Sequence, residues 1–160
     1  MLILRHGKAA PEEAGSDRDR PLTKHGKRAA EHVGQRLRDE DLVPDRIISS
    51  KAQRASDTAH RVAVAAGFRG PLDELEELYL AEPEPYITAL RLLAGDSARV
   101  LVVGHNPGLE ALVMILTGEG VALPTAGLAV CSLPISNFAE LSAEVRGKLT
   151  QFIQPKTRDA

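Results

Sequence analysis

Two arginines and two histidines stand out in this chain for where they fall. Arg5 and His6 follow directly on the aliphatic run Leu2-Ile3-Leu4, with Gly7 and Lys8 behind them. Arg54 comes shortly after the hydroxyl pair Ser49-Ser50, which closes the run Arg46-Ile47-Ile48. His105 lies in Gly104-His105-Asn106-Pro107, at the end of the apolar stretch Val100-Leu101-Val102-Val103. These residue types suit phosphoryl transfer to nitrogen. A neutral imidazole at His6 attacks phosphorus in line and becomes a phosphohistidine. Guanidinium forks at Arg5 and Arg54 neutralise the equatorial oxygens, which carry most of the charge in a loose transition state. Arg does this better than Lys, because its planar fork gives bidentate bonds. A protonated His105 adds a donor, and a bound dianion favours that state. The scheme calls for no metal and no cofactor.

Taken singly, each of these residues has an ordinary reading. A His at a strand end is usually exposed or internally satisfied, and an Arg in a first helical turn is usually solvated. His25, His32 and His60 stand among charged residues on helical segments and read as surface. The one cysteine, Cys131, sits in Leu128-Ala129-Val130-Cys131 and reads as a small buried hydrophobe. Gly118-Glu119-Gly120 lacks the Lys-Ser/Thr of a P-loop. What carries weight is the joint pattern, in which three separate apolar runs end in phosphate-compatible groups.

Those runs are too short for helices and read as strands over 2–5, 46–50 and 99–104, the last apolar throughout like a strand covered on both faces. Residues 8–20 are polar and read as a long loop. Thr23 is an N-cap for a helix whose Ala29, Ala30, Val33 and Leu37 share a face, with Pro44 as its stop. A second helix runs from Lys51 to Gly67, a third covers 86–94, and a fourth starts at Pro107 and ends at Gly118. A short strand falls within 72–80, and two more fall over 128–133 and 148–153. Strand and helix alternate. The expected fold is therefore α/β, a three-layer α/β/α sandwich with a mainly parallel central sheet and helices on both faces, as one domain over 1–160. In such sheets ligands bind beyond the C-terminal strand ends, where Arg5, His6, Ser50 and His105 would meet. The amides at the start of the fourth helix favour an anion there.

Composition excludes several other classes. With 160 residues, 43% hydrophobic and 26% charged, the chain can bury a core and is not disordered. At 3% aromatic residues and no Trp it offers no stacking platform for single strands. A formal net charge of -2 and no basic run argue against nucleic acid or an anionic membrane as partner. No stretch reaches the length of a membrane span, and no leader pattern precedes the first strand, so a cytoplasmic protein is expected.

Arg5-His6-Gly7, Arg54 within Ser49-Ser50-Lys51-Ala52-Gln53-Arg54-Ala55, and Gly104-His105-Asn106-Pro107 together resemble the histidine phosphatase superfamily, also called phosphoglycerate mutase-like. In length and element order the chain is similar to its small SixA-type branch of phosphohistidine phosphatases, as is the phrase Arg20-Pro21-Leu22-Thr23-Lys24-His25-Gly26. The resemblance implies that His6 is the phosphorylated nucleophile and that Arg5, Arg54 and His105 complete the phosphate pocket. Gly7, Arg20 and Asn106 are further substrate-binding candidates; for Arg20, an ion pair with Asp17 or Asp19 is the alternative. Larger members continue the first motif with a polar segment often containing Trp-Asn, where this chain reads Lys8-Ala9-Ala10-Pro11. They also take a proton donor from a mid-chain insertion, for which Glu76, Glu77 and Glu82 are the candidates here, with a solvated role as the alternative. Phosphohistidine needs less help from an acid, since its imidazole leaves as a neutral group once protonated. The expected substrate is accordingly a phosphohistidine-bearing phosphoprotein. The alternatives are a phosphatase of small phosphorylated substrates, such as sugar or nucleotide phosphates, and an inactive phosphate-binding module.

Overall fold

The computed structural model describes residues 1–12 and 15–155, so the loop expected over 8–20 is covered except at Glu13 and Ala14. Six strands form one sheet: β1 (Leu2–Arg5), β2 (Arg46–Ser50), β3 (Leu72–Leu75), β4 (Val100–Gly104), β5 (Leu128–Ser132) and β6 (Lys148–Ile153). Their order is β3-β2-β4-β1-β5-β6, parallel from β3 to β1 and antiparallel from β1 to β6. The helices are α1 (Lys24–Asp39), α2 (Gln53–Ala66), α3 (Pro83–Leu93) and α4 (Gly108–Thr117). This is the three-layer, mainly parallel sandwich that the alternation of elements predicts.

Alternation along each central strand decides which helices lie on which face. Leu2, Leu4, Ile47, Leu101 and Val103 pack with α1 and α2. Ile3, Ile48, Val100 and Val102 pack with α3 and α4. Both faces of β1, β2 and β4 are therefore apolar, and these strands carry continuous aliphatic runs. Polar side chains appear only where the strands end.

The helix boundaries follow local chemistry, with one departure from expectation. Thr23 Oγ1 accepts from Gly26 N at 3.0 Å and caps α1, as its position predicts. At the other end α1 stops at Asp39, well before Pro44. Asp41 is left-handed (φ 56°), Leu42 N–H donates to Leu37 O and Asp41 N–H to Arg38 O. That is a Schellman ending with Asp where Gly is usual, so the sequence carries no glycine to mark it. Gly67 and Gly118 do end α2 and α4 with left-handed backbones.

The first turn of α1 is pressed against the chain that leaves β1. Thr23 N–H donates to Lys8 O, and Ala9 bridges Leu22. A Cβ on Gly26 would lie 2.3 Å from Lys8 O and 2.9 Å from Lys8 N, so only glycine fits. Gly26→Ala should lose about 1–3 kcal/mol of stability to overpacking in urea unfolding, despite alanine's better helix propensity. It should also lower activity, because the backbone it pushes is that of His6-Gly7-Lys8.

Candidate active site

Strands β2, β4 and β1 are neighbours and parallel, with Arg5 beside Gly104 and Ser49 beside Val103. Residues that follow them in sequence at three distant places thus meet at one sheet edge. Arg5, His6, Arg20, Arg54, His105 and Asn106 line a single cavity of about 290 Å³. Lys8, Ala9, Leu80 and Thr125 complete its wall.

His6 is 8% exposed. Its Nδ1 lies 2.7 Å from the carbonyl oxygen of Gly7, which can only accept, so Nδ1 carries the proton. The lone pair is then on Nε2, where it accepts from Arg54 Nε–H at 3.3 Å. Burial pushes the His6 imidazolium down to about 4; the Gly7 contact opposes this, while Arg54, Arg5 and Arg20 add to it. At neutral pH this is an unprotonated imidazole with its lone pair set among cations.

Gly7 does not line the cavity. Its amide donates to Thr58 Oγ1 at 2.9 Å, and Thr58 Oγ1 donates to Arg54 O at 2.7 Å. A Cβ at Gly7 would lie 2.8 Å from Gly26 O. Close approach, not a left-handed turn, is what requires glycine there, and the residue's part is to hold the backbone beside His6. Thr58 ties that peptide to the helix bearing Arg54.

His105 is 1% exposed and its backbone amide donates to Tyr86 Oη at 3.2 Å. That hydroxyl occupies the space a Cβ on Gly104 would need. Burial, then His6 and Arg54, push the His105 imidazolium down to about 3. His105 is therefore neutral here; the protonated donor expected from the sequence is a state that a bound dianion would favour. Its Nε2 lies 2.8 Å from Ser50 Oγ, which already accepts from Ala52 N–H. With the Ser50 hydroxyl donating to Nε2, the imidazole N–H falls on Nδ1, which is buried and without a partner. A neutral His105 keeps a donor in reserve.

Arg5 donates to Leu123 O at 3.1 Å, and its Nε is buried and unpartnered. Asn106 gives its amide to Glu110 and Leu123 O, with its Oδ1 buried and unpartnered. Arg20 both lines the cavity and makes the ion pair with Asp17, at 2.9 Å. Arg54 gives Nη1 to Asp17 O at 2.8 Å and Nη2 to Asp17 Oδ2 at 3.1 Å. The Tyr79 hydroxyl also donates to that carboxylate. Tyr79, Arg20 and Arg54 together hold the Asp17 carboxyl well below the usual carboxylate range. Asp17 and Tyr79 are the residues that sequence reasoning missed as parts of the site. The one available signal was Asp17 three places before Arg20; nothing in the sequence pairs either with Tyr79.

Glu76, Glu77 and Glu82 are exposed and none lines the cavity; Glu76 pairs with Arg18. His25 and His60 are exposed and His32 half-buried on the helices. Cys131 is buried, and burial pushes its thiol up to about 11, as suits an inert core residue. Among the described residues no cluster of three His, Cys, Asp or Glu is arranged for a metal ion, and no helix is long and apolar enough to cross a membrane.

Residues 1–80, which include Arg5-His6-Gly7 and Arg54, match the family model of the histidine phosphatase superfamily (branch 1). The chain belongs to that superfamily. An uncharacterized protein of Mycobacterium tuberculosis is 34% identical over 139 residues, which span 79% of this chain and 85% of that protein. Among solved structures, a putative phosphohistidine phosphatase SixA from Agrobacterium tumefaciens matches at 31% identity and a TM-score of 0.81, covering 96% of each chain. A protein histidine phosphatase SixA complexed with tungstate matches at 26% identity and the same TM-score of 0.81, again over 96% of each chain. The phosphoglycerate mutase-like fold and the superfamily are thus those of a phosphatase.

The two neutral imidazoles have a consequence for stability. Unfolded histidine takes up a proton near pH 6.5, whereas folded His6 and His105 do so only near 4 and 3. Between those limits the unfolded chain binds more protons, so stability falls as pH drops below about 6.5. Each group contributes a slope of about 1.4 kcal/mol per pH unit. Urea unfolding at pH 7 and pH 5 should show this loss, and a His6→Asn/His105→Asn variant should show much less of it.

Proposed function

We propose that residues 1–160 form one catalytic domain that hydrolyses protein phosphohistidine through a phosphohistidine on His6. The observation that carries the reading is the fixed His6 tautomer, whose Nε2 lone pair faces the Arg54 Nε–H. In the first step Nε2 forms a bond to phosphorus as the substrate's P–N bond breaks. The departing imidazole takes a proton and leaves neutral. Water then attacks phosphorus, giving inorganic phosphate and restoring His6. Arg5, Arg54 and Arg20 neutralise the phosphoryl oxygens, and the free Nδ1–H of His105 donates to one of them.

Two features favour a phosphohistidine over an ester. Among the described residues the cavity wall contains no carboxyl group, and Asp17, the nearest carboxylate to Arg54, is held ionised and is no acid. An alkoxide would need such a donor; an imidazole protonated by solvent does not. The likeness to SixA proteins at 31% and 26% identity supports the same substrate class.

His6→Ala should abolish turnover and any trapped phosphoenzyme, and kcat/KM should be higher for a phosphohistidine protein than for sugar or nucleotide monophosphates. Normal activity in His6→Ala sinks the mechanism, and faster turnover of the small monoesters sinks the substrate assignment. Asp17 acts through the arginines it holds. Asp17→Asn should lower kcat/KM about 10- to 100-fold by letting Arg54 drift, and should also lower the unfolding midpoint at neutral pH, where the ionised carboxylate is lost.

A further inference from the structure

Four large apolar side chains are strongly exposed among the described residues: Val64, Leu80, Leu92 and Met114. Only Leu80 lies in the wall of the His6 cavity. It is 55% exposed and has a left-handed backbone, φ 48°. Leucine has no polar side-chain atom with which to offset that conformation. A strained residue that contributes little to the core stands at the mouth of the phosphate pocket.

Its neighbours hold it there. Tyr79 donates to Asp17, and its ring meets the edge of His105 at 5.6 Å between centroids. Ala81 is buried, and its carbonyl fills the space beside Gly108 where a Cβ would lie 1.9 Å away. With both sides pinned, the chain crosses Leu80 in one residue and presents its side chain at the rim. The rest of the wall is mainly cationic or polar: Lys8, Arg20, Asn106 and Thr125, with Ala9. Arg20 could stack on a ring through its guanidinium, but Leu80 is the one large apolar side chain among the described residues of the wall.

We infer that Leu80 is a specificity-determining residue that packs on the apolar face of the leaving group, the imidazole of the phosphorylated side chain. This rests on the phosphohistidine reading for the identity of that ring. The role itself requires only a flat, weakly polar leaving group. The strained backbone persists because the residues around it over-determine it, a pattern typical of ligand sites.

Three substrates separate the possibilities: a phosphohistidine protein, an aryl phosphate with a flat apolar leaving group, and phosphoramidate, whose leaving group is ammonia. Leu80→Gly removes the side chain and relieves the backbone; Leu80→Asn keeps a similar size and tolerates the same φ. Both should lower kcat/KM about tenfold on the first two substrates, through KM, and less than twofold on phosphoramidate. Their unfolding midpoints should stay at or above wild type. Equal losses on all three substrates, or a lowered midpoint that tracks the loss, overturn the inference and make Leu80 a structural residue. If the wild type prefers the aryl phosphate to phosphohistidine, the substrate proposal fails, while the ratio against phosphoramidate still decides the role of Leu80.

Discussion

The hydrogen bond from His6 Nδ1 to the Gly7 carbonyl, 2.7 Å long, is the contact on which the rest of the site depends. It spans adjacent residues, so its geometry is set by the His6 rotamer and the Gly7 peptide and needs no distant partner. By fixing the proton on Nδ1 it leaves the lone pair on Nε2, and burial among arginines keeps that nitrogen unprotonated. A histidine that titrated near its ordinary value would be partly blocked as a nucleophile at neutral pH. Burial and cationic neighbours are usually costs to a protein. Here the same two factors keep the Nε2 of His6 unprotonated.

The scaffold serves that contact by close approach. Gly7 and Gly26 let the segment after β1 lie against the first turn of α1, and Thr58 bonds the Gly7 amide to the helix that carries Arg54. The segment that carries His6 and the helix that carries Arg54 are therefore linked through two hydrogen bonds and not merely placed on adjacent elements. On the other side Tyr86 holds the His105 amide at the end of β4, and Ser50 at the end of β2 orients the ring. Each strand thus provides both a functional residue and support for its neighbour's residue. Parallel order β2-β4-β1 is what makes this reciprocal arrangement possible.

Much of this was legible in the sequence because strand ends are local events. Leu2-Ile3-Leu4 before Arg5-His6, and Val100 to Val103 before Gly104-His105, announce buried strands that must stop where charge begins. The α/β alternation then brings those ends to one edge by topology alone. Contacts between loops were not legible. Tyr79 reaches Asp17 across 62 positions, and no period or spacing encodes that meeting. The Schellman ending of α1 was hidden for a different reason, since Asp41 adopts a conformation for which glycine is the usual marker. The charge state of His105 also could not be read from residue types, because it depends on how deeply the ring is buried.

Arg5, Arg20 and Arg54 facing one cavity repel one another, and a carboxylate between two of them offsets that repulsion. An arginine has five N–H donors, of which Arg54 gives one to His6 and two to Asp17. The donors that remain are the ones a phosphoryl group can use, together with Nε once the lone pair of His6 is engaged with phosphorus. Asp17 therefore need not leave when substrate arrives. In the proposed mechanism it fixes the fork from one side, so that the other side is already oriented toward an incoming phosphoryl group and little binding energy is lost to ordering it.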